Sequence, residues 1–172
     1  MFRRLNPRFT ELFTTEQGHR FLGELGAPNS YPRPRKEIQN VPHRALVTNR
    51  DSVAEAGSLV RAHGQEYLLA GQHLQAKVMR FLAVEVTDRV SWSRPSVITD
   101  PVTGMPTGDG VTVLDPSLPV CLEPGREFQE ENFTEDMYRF FTHADVKPDD
   151  LINEHKVLRV QMLFGLRMVS VA

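Results

Sequence analysis

A chain of 172 residues with 40% hydrophobic and 24% charged residues has enough apolar material for one cored domain with an added arm. Its net charge of −2 excludes a uniformly basic nucleic-acid binder, and no apolar run approaches the roughly 20 residues needed to span a bilayer. The lone Cys121 excludes an internal disulfide. With no signal-peptide pattern in "MFRRLNPRFTELF", the expectation is a soluble intracellular chain.

The charge is unevenly placed. Residues 1–50 carry nine Lys/Arg against four Asp/Glu, whereas residues 51–172 carry eleven against eighteen. Opposite fields of this kind favour head-to-tail contact between copies. Residues 1–44 read as a basic N-terminal arm. In "PRFTELFTTEQGHRFLGELG", Phe9, Leu12, Phe13, Phe21, Leu22 and Leu25 suggest a short helix, with Thr15 as a cap and Gly26 as a stop. Pro28, Pro32, Pro34 and Pro42 then predict an extended segment anchored by Tyr31. Such a segment cannot bury itself, so it serves as a linker or lies along a neighbour.

From residue 45 onward the period is two, and residues 45–172 read as a single β-barrel or sandwich domain. "RALVTN" is a strand, and "SLVRAHGQEYLLAG" is a hairpin turning at His63-Gly64. "KVMRFLAVEVTDRVSW" places Leu82, Val84, Val86, Val90 and Trp92 on one face, with a break at Asp88. Residues 94–111, rich in Pro and Gly, predict a long protruding loop whose candidate contact residues are Asp100, Thr103, Met105 and Asp109. "VTVLD" and "LPVCLEPG" are short strands parted by Pro116. "EFQEENFTEDM" is an acidic loop or weak helix from Thr134, and "YRFFTHA" is a strand. The clearest signal closes the chain. Leu158, Val160, Met162, Phe164, Leu166 and Met168 recur at every second position, which predicts a long strand or hairpin with that face buried and a bend at Gly165.

Candidates for chemistry are weak. His143, Asp145, Asp149, Asp150 and His155 could supply metal ligands, but the acids surround Pro148 without the glycine of a calcium loop, and the two histidines stand far apart. Pro and Asp at these positions instead build a corner between strands. "GMPTGDG" lacks the Lys-Ser/Thr of a phosphate loop. Cys121, between Val120 and Leu122, reads as a small core residue. The expectation is no catalytic residue, no cofactor and no metal, hence no enzyme.

The ending "MYRFFTHADVKPDDLINEHKVLRVQMLFGLRMVSVA" resembles the closing strands of tailed-bacteriophage neck proteins, the head-closure, head–tail joining and collar family. The likeness is carried by Lys147, Asp150 and Ile152, the turn at Asn153–His155, and Val157 to Met162. Asp149 replaces the family's glycine before the aspartate, and the turn lacks its usual glycine. The resemblance covers about a quarter of the chain well and residues 45–122 loosely. It implies a structural virion protein that forms a homo-oligomeric ring of roughly six or twelve copies. The ring would contact portal or adaptor proteins and tail-tube or tail-terminator proteins, and double-stranded DNA would pass through it without sequence-specific binding and without a membrane. It also places Arg3, Arg4, Phe9, Phe13, Tyr31, Arg33 and Arg35 of the arm at subunit interfaces. The rival readings are a small-barrel nucleic-acid-binding or regulatory module, a metal hydrolase using the five residues above, and a monomeric β domain.

Overall fold

The computed structural model describes residues 10–27, 40–123 and 138–172, and among these every regular element is a strand. The protein is mainly β. It divides into two compact units, residues 1–86 with 162–166, and residues 87–161 with 167–172. A boundary between Val86 and Thr87 replaces the single domain expected over residues 45–172.

The first unit is a closed six-stranded barrel in the order β1-β2-β3-β6-β5-β4. Its strands are β1 (Glu11–Thr15), β2 (Arg20–Gly26), β3 (His43–Asn49), β4 (Leu59–Ala62), β5 (Gln65–Gln75) and β6 (Val78–Glu85). Pairing of Thr14 with Arg61 and Thr15 with Val60 closes the ring. The described part of the expected arm is therefore barrel wall, and the expected helix is a hairpin. Thr15 donates its N–H to the His19 carbonyl at 2.8 Å and accepts from Gly18 at 2.9 Å. Gly18 adopts φ +84°, which the tight turn requires. Phe13 lies opposite Phe21 with stacked rings 5.2 Å apart. Apolar residues on two paired strands mimicked the spacing of one helical face. Phe13 is fully buried and belongs to this core. Arg3, Arg4, Phe9, Tyr31, Arg33 and Arg35 lie outside the described residues, as does the acidic stretch through Thr134.

Phe13, Phe21, Leu46, Val60, Leu69, Phe81 and Ala83 fill this barrel. On β6 the core therefore takes Phe81 and Ala83, the parity opposite to the one expected. Leu82 and Val84 are buried as well. With both faces covered, alternation no longer separates inside from outside. The His63-Gly64 turn stands where the sequence puts it, with φ of 52° and 77°.

The second unit holds β7 (Asp88–Thr99), β8 (Pro106–Leu122), β9 (Tyr138–Thr142), β10 (Leu151–Ile152), β11 (His155–Leu163) and β12 (Leu166–Val171). They close in the order β10-β11-β12-β9-β8-β7 around Val90, Leu118, Val120, Phe140, Ile152, Val157, Val169 and Val171. Pro116 does not divide β8. The strand absorbs it beside an irregular stretch of register where Trp92 faces Asp115. On β11 the expected buried face is reversed in part: Val157 and Leu163 are buried, while Leu158 and Met162 are exposed. The hairpin tip, residues 162–166, clusters with the first unit. Gly57 and Gly165 meet there so closely that a Cβ on Gly57 would stand 2.7 Å from the Gly165 carbonyl oxygen.

Candidate functional site: a projecting hairpin and its buried root

The segment read as a long loop is a β-ribbon. Register runs from Ser93 opposite Val113, through Arg94–Thr112, Pro95–Val111, Ser96–Gly110, Val97–Asp109 and Ile98–Gly108, to Thr99–Pro106. The Pro and Gly residues that suggested a loop sit in two strands without a further neighbour. β10 pairs β7 only at Trp92 and Ser93, and β9 pairs β8 only at Cys121 and Leu122. Among the described residues, Arg94–Thr99 and the strand opposite pair with each other alone. Six residues at about 3.3 Å each give the ribbon a reach of about 20 Å.

Residues opposite one another share a face. One face carries Arg94, Thr112, Ser96, Gly110, Ile98 and Gly108, with the Ile98 side chain over Gly110, where a Cβ would come within 2.9 Å of it. The other carries Pro95, Val97, Val111 and Val113, with Asp109 the single charge. Val97, Val111 and Val113 are 61%, 57% and 63% exposed, and Val102 and Met105 at the tip are 91% and 68% exposed.

The tip is ordered by Asp100. Its Oδ1 accepts N–H groups from Val102 at 2.7 Å and Thr103 at 3.1 Å, and these bonds hold its carboxyl below the usual carboxylate range. The Asp100 N–H reaches the Met105 carbonyl at 2.9 Å. Asp100, Thr103 and Met105 are thus gathered at the tip, while Asp109 lies farther down the ribbon opposite Val97.

The root is the acidic corner. Asp150 is 2% exposed and accepts four hydrogen bonds: Arg94 Nε at 2.6 Å, Arg94 Nη2 at 2.8 Å, Trp92 Nε1 at 2.9 Å and the Lys147 N–H at 2.9 Å. Burial alone would push its carboxyl up. The donors outweigh burial and hold it below the usual range, and Asp150 in turn raises the Arg94 guanidinium. The Arg94 guanidinium also lies 5.7 Å from the centre of the Trp92 ring. Trp92 and Arg94 are the residues from which the ribbon departs, so the corner clamps its base. Nearby, the Asn153 Oδ1 accepts the Ser91 N–H at 2.8 Å, and the Asn153 N–H reaches the Ser91 carbonyl at 2.9 Å.

The remaining candidate ligands have separate engagements. Asp145 binds Arg167, Asp149 binds Lys156 at 2.7 Å, and His155 sits edge-on to Tyr138 with ring centres 6.5 Å apart. Among the described residues, no three His, Cys, Asp or Glu side chains are grouped to hold a metal ion. Cys121 is buried in β8 opposite Phe141. Sequence reasoning found Asp150 but missed Trp92 and Arg94, because they lie more than fifty positions from Asp150 and only barrel closure brings them together.

Compared with family models, curated proteins and solved structures, the chain matches none.

Proposed function

We propose that the protein is a structural element of a tailed-phage neck. Copies repeat one interface around a ring between head and tail, and the β7–β8 hairpin is the docking element. The carrying observation is the unpartnered valine face of the ribbon. A two-stranded hairpin is marginal in water, and a contiguous apolar stripe on its surface is best explained by a protein partner. The resemblance of Lys147, Asp150 and Ile152 to the closing strands of the neck family supports the same reading. In this reading the corner built on Asp150 is mechanical: it sets the angle at which the hairpin leaves the barrel. The protein then acts in the virion by contact, without a catalytic residue or cofactor, and DNA passes it without being read.

Light scattering across protein and salt concentrations tests the proposal. The full chain should show a mass several times 19.5 kDa, and the double variant Val97→Lys/Val111→Lys should revert to the monomer with an unchanged circular dichroism spectrum. A full chain that stays monomeric throughout counts against the ring. DNA binding by that monomer, falling steeply with salt, would establish the nucleic-acid module in its place.

A further inference from the structure

The first barrel carries a second surface that the hairpin does not explain. β2 extends beyond β3: Gly23 pairs with Thr48, but Arg20, Phe21 and Leu22 have register partners only on β1. The chain turns away after Asn49, and an open cleft of about 650 Å³ remains between the start of β2, residues 49–53 and the β5–β6 turn. Three cations line it, Arg20, Arg50 and Lys77, all exposed, with Asp51 the one acid in the lining. Among the described residues, none of these three side chains forms an ion pair. Leu22 and the exposed Val53 add apolar surface. Unsatisfied positive charge, an apolar lining and a strand start that extends beyond its β3 partner describe a receptor for an acidic segment, whose backbone can add to that strand start while its carboxylates meet the cations.

The protein's own sequence contains an acidic stretch of matching composition. Residues 127–136 hold Glu127, Glu130, Glu131, Glu135 and Asp136 with no Lys or Arg, and Phe128 and Phe133 are spaced among them. We propose that this cleft receives the acidic segment 127–136 of a second copy. The inference rests on the assembly reading above and deepens it: it names a contact that gives the ring a direction, with a cationic cleft on one copy and an acidic segment on the next.

The test is a labelled peptide of residues 123–137 titrated into the full-length protein by fluorescence anisotropy at low salt. Saturable binding is expected, weakened at least tenfold by Arg50→Glu/Lys77→Glu and weakened similarly by Arg20→Glu. These residues are exposed, and an unchanged melting curve confirms that each variant is folded. A scrambled peptide of equal charge should bind at least tenfold more weakly. Absence of saturable binding, indifference to the cleft variants, or equal binding of the scrambled peptide would each overturn the proposal. The outcome separates from that of the ring. Peptide binding by a protein that never assembles sustains the cleft and removes the ring, whereas assembly without peptide binding does the reverse.

Discussion

Asp150 has almost no access to water, yet it carries a charge. A carboxylate in that position persists because four donors converge on it, and removing the principal donor leaves the charge stranded. Arg94→Met should therefore cost about 3 kcal/mol, measured by urea unfolding. The folded-state carboxyl lies below its ordinary value, so its stabilisation is complete above about pH 4 and is lost as pH falls further, through the depressed folded value. Asp150→Asn should flatten that part of the acid-unfolding curve, and an unchanged acid limb would mean the corner contributes nothing. A second residue tells a different story. Glu154, with Asn153, forms the β10–β11 turn at φ 70°, a conformation that disfavours a side chain. Glu154→Gly should raise stability by about 0.5–1 kcal/mol, in line with the glycine expected at this turn. The corner was partly legible, since Pro148 and the adjoining aspartates announce a turn. Its purpose was not legible, because Arg94 reaches Asp150 only once the second barrel closes.

At the scale of elements, the ribbon shows why composition misleads. Pro95, Pro106, Gly108 and Gly110 look like loop residues, but a two-stranded ribbon with open outer edges tolerates proline that an interior strand would reject. Its backbone bonds have no third strand to shield them. Amide exchange over residues 95–112 should accordingly be orders of magnitude faster than at Phe81 or Phe140, measured on the free protein, and assembly should slow it. Protection equal to the barrel core in the free protein would mean that the ribbon is not a separate element. The β11–β12 hairpin marks the opposite limit of sequence reading. Period two correctly announced strands over residues 158–168, but periodicity cannot say which parity is inside. Leu158 and Met162 are exposed because Val157 and Leu163 take the buried positions. The first hairpin failed for a related reason, with Phe13 and Phe21 reading as one helical stripe until Gly18 turned the chain between them.

The whole molecule is two barrels made from an interleaved chain. Charge asymmetry along the sequence suggested an arm and a body, yet the structural boundary falls at residues 86–87, and residues 162–166 return to the first unit. No local signal marks that return, since it depends on contacts nearly a hundred residues apart. Leu163 and Leu166 are buried there, and the Gly71 N–H reaches the Phe164 carbonyl at 2.6 Å. A fragment of residues 1–86 should therefore melt well below the full chain. Gly57→Ala, whose Cβ would collide with the Gly165 backbone, should cost about 2–3 kcal/mol in the full chain. In the fragment, which lacks Gly165, it should cost clearly less, and equal costs in both would refute the contact. The same return has a consequence for how the protein is made. A ribosome delivers residue 86 long before residue 162. At about 5–20 residues per second, the first barrel waits roughly 4 to 15 s for its last five residues. During that interval the surface near Gly57 and Gly71 is uncovered in the nascent chain. Premature pairing between neighbours on a polysome is thus a hazard built into the order of synthesis.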